Sequence, residues 1–430
     1  AANARLATDI TLRPRCEPLQ LPPAPSTLNA LTMLRPARIL PALAFFAAAL
    51  SAPLTSHAIE QPCPQDPQTE GFVAPTAGTR CVVVTETYEG SENRLGLPVP
   101  RRYLRLSPQV AREGTPPLFV LLHARDTEIE PMANLTRVGR LVRDHGATVV
   151  LPEAIDGEFN DDPITPPTNP PALPLMDDVA FIASVIADEL EQGGLDATQV
   201  FIAGYSNGGF MAQRMVCERP QLFAGLGSVA SSLRFGLENN CPGTPKAMPR
   251  VFMHGTADEV VLYRGLPYRD NIVIDGQTTN NALIAYRSAP NTALFWAARN
   301  GCSGPLNNAP IPSRLPTNGD GTTVDYFRYN CAPGIPPVIA YRINGGGHTW
   351  PGSLGFAGGT AAVLGPITTQ LDATTAFWTH FTEPNAGNQA RADQLRSVDN
   401  GGGGWGLGVL GLCALGLLRW RRAGCRKSRH

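Results

Sequence analysis

The sequence predicts an α/β fold: a mostly parallel, doubly wound sheet with helices on both faces. Three observations lead there. Short apolar runs of strand length alternate with longer amphipathic segments between residues 59 and 382. Most of these runs are apolar throughout, which suits strands covered on both faces. The 43 Gly and 41 Pro, with only 17% charged residues, exclude a coiled coil or a helical array.

The elements follow in order. Cys81–Tyr88 and Arg102–Leu106 alternate in polarity and suit an antiparallel edge. Buried strands are expected at Leu118–Leu122, Thr148–Leu151, Val200–Ala203, Leu226–Ala230, Val251–Met253 and Val338–Ile343. Helices are expected at Met132–Asp144, Asp177–Glu191, Gly208–Arg219, Asn291–Asn300 and Thr368–Thr382. The second of these puts Phe181, Ile182, Val185, Ile186 and Leu190 on one side, with acids at its start to favour the helix dipole. Residues 163–174 hold six prolines in twelve positions and can be neither helix nor central strand. They are expected to loop over the carboxyl edge of the sheet, where ligands bind in such folds.

Both ends differ from this core. The first methionine is Met33, and residues 1–32 are expected to be an upstream extension. Residues 33–58 read as a secretory signal: Arg35 and Arg38, an apolar run from Ile39 to Leu50, then Ser56-His57-Ala58 for signal peptidase. Residues 383–400 form a polar linker, and 401–430 combine a four-glycine run, an apolar stretch and six basic residues. The uncharged residues from Gly401 to Leu418 would reach ~27 Å as a helix, enough for a thin bilayer core. This tail resembles the GlyGly-CTERM sorting signals of some Gram-negative bacteria. The resemblance implies transient membrane anchoring and cutting near the glycines by a rhomboid-type protease.

The formal charge of the whole chain is −1, which gives no case for nucleic-acid binding. Residues 1–58 carry five basic and two acidic side chains and the tail carries six basic and no acidic ones, so residues 59–400 stand at −10. Six cysteines fall within 59–382, and an even number in an exported chain suggests disulfides. Proximity in the chain favours Cys63–Cys81, Cys217–Cys241 and Cys302–Cys331. No pair has the spacing of a structural zinc site.

The strongest chemical signal is Gly204-Tyr205-Ser206-Asn207-Gly208, a G-x-S-x-G between an apolar strand and an amphipathic helix. A serine on such a turn exposes its hydroxyl, and the next N–H, that of Asn207, can stabilise an oxyanion. Serine needs a base, and the base an acid. In the α/β-hydrolase fold these follow in the chain order Ser, acid, His. His348, in the loop Gly345-Gly346-Gly347-His348 after a strand, is the expected base in preference to His254 or the mid-helix His380. Asp258 is the expected acid, with Glu259 as its rival. The second oxyanion donor is expected from Ala124 or Arg125, after His123, where many hydrolases have His-Gly.

Gly204–Gly209, the H-G-T-A-D ending at Asp258 and the G-G-G-H-T-W-P-G of Gly345–Gly352 together resemble the secreted polyhydroxybutyrate-depolymerase-like esterases, which include feruloyl esterase-type enzymes. The likeness runs through roughly residues 80–382. It implies Ser206 as nucleophile, Asp258 as acid and His348 as base, with Tyr205 and Trp350 near the substrate. It also implies an exported serine esterase that needs no cofactor or metal and acts on carboxylic esters, polymeric ones included. The alternatives are a serine peptidase on the same fold and a surface-displayed binding protein without turnover. Only the Ala124 departure favours the latter.

Overall fold

In the computed structural model, the described residues run from 58 to 383, excepting 89–96, 162–175, 238–240, 242–245, 270–271, 275–276, 280–284, 303–312, 316–318, 330 and 354–363. Apart from Ala58 and Glu383, the expected leader, Pro-rich loop, linker and sorting tail lie outside them. No helix among the described residues is long and apolar enough to cross a membrane.

The centre of the molecule is six parallel strands: β4 (Leu118–Leu122), β5 (Thr148–Pro152), β6 (Val200–Tyr205), β7 (Gly225–Val229), β8 (Arg250–Gly255) and β13 (Val338–Asn344). They stand in the order β5-β4-β6-β7-β8-β13. Antiparallel strands extend both sides: β3 (Arg101–Pro108), β2 (Thr79–Glu86) and β1 (Ile59–Pro62) beyond β5, and β12 (Thr323–Arg328) and β11 (Ser313–Arg314) beyond β13. The expected antiparallel pair is β2 and β3, but neither is the edge. That place belongs to β1, whose four residues are all exposed and whose pattern carries no alternation to reveal it. A separate ribbon of β9 (Ile272–Ile274) and β10 (Gln277–Thr279) follows β8.

Burial explains the two-sided covering. Phe119, Leu121, Phe201, Ala203, Val251 and Met253 point to one face, where they meet Met132, Leu141, Phe377 and Phe381. Their neighbours Leu118, Val120, Val200, Ile202 and Phe252 point to the other, against Phe181, Val185, Met211, Met215 and Trp296. Because successive side chains alternate across a strand, an all-apolar run feeds both cores at once. Helices α1 (Ile129–Thr136), α2 (Gly139–His145) and α6 (Ala373–Thr382) supply the first face. Helices α3 (Asp178–Gly193), α4 (Asn207–Glu218) and α5 (Ala289–Arg299) supply the second.

Local chemistry fixes the helix ends. Asp177, Ser288 and Asp372 each accept a backbone N–H from the first turn of α3, α5 and α6. The single helix expected over Met132–Asp144 is two. Arg137 adopts a left-handed backbone (φ 51°) that ends α1, and its guanidinium bonds Gly352 O and Asp372. That tertiary anchor outweighs the continuous helical pattern. The cysteines pair as 63–81, 217–241 and 302–331.

Candidate active site

Strand β6 runs into helix α4 through one residue. Ser206 has φ 53° and ψ −120°, a backbone that a residue with a Cβ seldom adopts. Ser206 N–H donates to Val229 O at 2.9 Å, while its carbonyl accepts from Gly209 and Phe210 at the start of α4. The bend requires glycine at two places. A Cβ on Gly204 would stand 2.1 Å from Gly208 O, and one on Gly208 would stand 2.4 Å from both His123 O and Leu122 O. Helix α4 therefore begins against the end of β4, and the loop after β4 lies beside the Ser206 turn.

Two other loops at the same sheet edge reach Ser206. Asp258 follows β8, and its Oδ1 accepts from the N–H groups of Val260 (2.9 Å) and Val261 (2.8 Å). Its Oδ2 lies 2.8 Å from His348 Nδ1, and His348 Nε2 lies 2.9 Å from Ser206 Oγ. Glu259, the rival acid, is exposed in the same turn. His348 leaves β13 through Gly345–Gly347, and its N–H donates to Leu364 O at 2.6 Å. All three side chains are at least nine-tenths buried. His380 is elsewhere, on α6, paired with Tyr341 Oη at 2.7 Å.

The protonation pattern follows from the partners. Burial raises the pKa of Asp258, but hydrogen bonds from His254 and His348, and the charge those rings can carry, overcome it and hold the carboxyl down to about 2. A carboxylate only accepts, so His348 Nδ1 carries the proton and Nε2 is free to accept from the Ser206 hydroxyl. Such a row can take a proton from a hydroxyl as it attacks and stabilise the imidazolium that results.

The strand order and the strand–Ser206–helix turn decide the architecture. The fold is that of the α/β-hydrolases. The loop after β4 is clipped by His123. Ala154 N–H donates to His123 Nε2 (2.9 Å), so Nδ1 carries the hydrogen and donates to Ala124 O (2.7 Å). Burial lowers the His123 pKa to about 4, with the Ala124 carbonyl opposing and the Arg101 charge adding to it, and the ring is neutral near pH 7. The left-handed residue of this loop is Asp126 (φ 54°), whereas Ala124 is absent from the positive-φ positions. An alanine at 124 thus carries no backbone strain, and the departure from His-Gly has a physical account. Among the described residues neither the Asn207 nor the Ala124 N–H has a backbone acceptor. Arg125 extends outward and pairs with Glu158.

Tyr205 and Trp350, expected at the substrate, lie beneath the site. They are 1% and 3% exposed and pack into the apolar core on the α1, α2 and α6 side of the sheet. Tyr205 Oη donates to the His348 carbonyl at 2.6 Å, and its ring meets Trp350 edge-on at 6.2 Å. They belong to the core under the His348 loop. Sequence reasoning also missed the Asn207 side chain. It accepts from Phe159 N–H (2.8 Å) and donates to Phe159 O and Asp161 (both 3.0 Å), tying the segment after β5 to the Ser206 turn. The G-x-S-x-G signal marks only the backbone role of that position.

The sequence profile of the phospholipase/carboxylesterase family matches residues 174–279. "Putative esterase NocK" of Nocardia uniformis subsp. tsuyamanensis is 27% identical over 241 residues, which is 55% of this chain and 66% of that protein. Feruloyl esterase B of Piromyces equi is 28% identical over 174 residues, 40% of this chain and 29% of that one. The chain thus spans just under two-thirds of the first relative and under a third of the second. Among solved structures, an acetyl xylan esterase from Aspergillus awamori aligns with a TM-score of 0.42 at 16% identity, covering 62% of this chain and 94% of that one. An S-formylglutathione hydrolase from Agrobacterium tumefaciens aligns with a TM-score of 0.34 at 14% identity, covering 43% and 78%.

Proposed function

We propose that the chain is a serine carboxylic-ester hydrolase working through an acyl-enzyme. The observation that carries this is the hydrogen-bonded row Ser206 Oγ, His348 and Asp258 on a turn that forces the serine into a strained backbone. Ser206 attacks the ester carbonyl while His348 Nε2 takes its proton. Negative charge then develops on the carbonyl oxygen, beside the N–H of Asn207 and that of Ala124. The latter follows the His123 carbonyl that abuts Gly208. The tetrahedral intermediate collapses as imidazolium His348 protonates the departing alcohol. Water, deprotonated by the same ring, then releases the acid. Asp258 holds the Nδ1–H tautomer throughout. No step calls on a metal or an organic cofactor.

The relative named feruloyl esterase B and the sequence resemblance to polyhydroxybutyrate-depolymerase-like esterases both direct the substrate search to carboxylic esters, including those of hydroxyacid oligomers. Three disulfides support an oxidising, extracytoplasmic setting, consistent with the leader read at 33–58 and the sorting tail read at 401–430. The alternative is a binding protein without turnover, which the Ala124 departure favours even though that residue has no left-handed backbone.

The test is a panel of short-chain aryl esters, feruloyl esters, hydroxybutyrate oligomers and a chromogenic peptide. Hydrolysis of at least one ester, abolished by Ser206→Ala, is the expected result. Cleavage of the peptide alone would make the chain a peptidase, and turnover of none would leave the binding reading.

A further inference from the structure

Two imidazoles, not one, converge on the acid. His254 Nε2 lies 2.7 Å from Val261 O and 3.3 Å from Asp258 Oδ2. A carbonyl only accepts, so Nε2 carries the hydrogen and donates it to Val261 O, while the carboxylate oxygen stands beside it at ion-pair distance. The His254 side chain is 3% exposed, and its Nδ1 has no hydrogen-bond partner among the described residues. An orphaned buried ring nitrogen costs stability, and phenylalanine or leucine would fill the space without that cost. The fold keeps a histidine where only its Nε2–H finds partners.

We infer that His254 is a positioning residue for the proposed reaction, a second N–H donor that holds Asp258 Oδ2 facing His348. The inference rests on the serine-esterase reading above. Asp258 Oδ1 is fixed by two backbone N–H groups, from Val260 and Val261, whereas among the described residues Oδ2 has only the two imidazoles beside it. One of those, His348, must be free to move its proton between Ser206, the leaving group and water. Without His254 the carboxylate would still be tethered through Oδ1, but Oδ2 would be aimed by the ring it is meant to aim. With it, the anion stays in place while His348 becomes imidazolium and returns to neutral, which lowers the reorganisation the transition state requires. His254 touches neither Ser206 nor a reacting atom, and it acts through Asp258 alone. The Tyr263 ring stands edge-on to it at 5.7 Å. A cavity of about 210 Å³, bordered by Phe252, His254, Tyr263 and Tyr329, leaves room for side chains of other shapes.

The experiment compares the full-length wild type with His254→Gln, His254→Asn and His254→Phe, using p-nitrophenyl acetate and recording thermal unfolding alongside. Glutamine places an amide N–H about where Nε2 stands, asparagine ends short of it, and phenylalanine has no donor. The expected result is a kcat about tenfold lower for His254→Phe and His254→Asn with KM nearly unchanged, and a kcat within about threefold of wild type for His254→Gln, a spread set by one hydrogen bond to a charged group. If His254→Phe does not fold, the asparagine–glutamine pair makes the same comparison. Equal kcat in all variants overturns the inference, as does an equal fall in the glutamine and asparagine proteins, which would mark a packing role. Those outcomes leave the esterase reading standing. A wild type that turns over no ester removes that reading, and this inference with it.

Discussion

Replacing Tyr205 with phenylalanine separates the role the sequence suggested from the one the structure assigns. The change removes one oxygen and leaves the ring in its core between His348 and Trp350. The His348 carbonyl then loses the donor that bonds it at 2.6 Å. Leaving a buried carbonyl without its partner costs about 1–3 kcal/mol. The hydroxyl also secures the backbone of the residue that must place Nε2 2.9 Å from Ser206 Oγ. Loosening such a position is expected to lower kcat by roughly tenfold, since near-attack geometry is sensitive to displacements well under 1 Å. The assays are urea denaturation for stability and steady-state hydrolysis of p-nitrophenyl acetate for kcat and KM. A fall in both stability and kcat, with KM nearly constant, supports the account. A raised KM with unchanged kcat would put Tyr205 against the substrate and refute it.

The remaining predictions follow from the same geometry. Asp258→Asn is expected to lower kcat by about 10⁴, because an amide cannot both accept from Nδ1–H and stabilise the imidazolium. The native pKa of Asp258 lies below its ordinary value, so its ionised form stabilises the fold above about pH 4. That contribution, on the order of 2 kcal/mol, is lost as pH falls toward 2. Denaturation curves across this window should fall more steeply for wild type than for Asp258→Asn; parallel curves would contradict the assignment. Gly208→Ala is expected to destabilise the fold and depress kcat, since its Cβ would press on the His123 and Leu122 carbonyls at 2.4 Å. Unaltered kinetics would show that helix α4 and the β4 loop are not in contact. Replacing Cys302 and Cys331 together by serine opens a cross-link spanning 29 residues and should cost about 3.6 kcal/mol by urea denaturation. An unchanged midpoint would show that the pair is not joined.

Where the sequence was legible, one signal dominated each feature. The parallel strands were visible because burial on both faces makes most of their residues apolar, as in Leu118–Leu122, where all five are buried. Ser206, Asp258 and His348 were legible because each closes a strand at the same sheet edge and carries a side chain the chemistry needs. What escaped depended on contacts distant in the chain. The β1 strand Ile59–Pro62 has no apolar side to announce it. The break between α1 and α2 comes from Arg137 reaching Asp372, 235 residues away. Tyr205 and Trp350 are placed near the substrate by the family resemblance, not by anything in their own sequence pattern. Only the packed core shows them to be buried. His254 was weighed as a base and set aside for its place before Asp258. The i,i+4 spacing that brings it onto that carboxylate was present in the sequence but meaningless until the β8 turn was known.

The most direct test of the central claim is intact-mass and peptide mapping after incubation with a fluorophosphonate. The account predicts one adduct per chain, located on Ser206 and absent from Ser206→Ala. A wild type that stays unmodified, or a Ser206→Ala protein labelled equally, would contradict it.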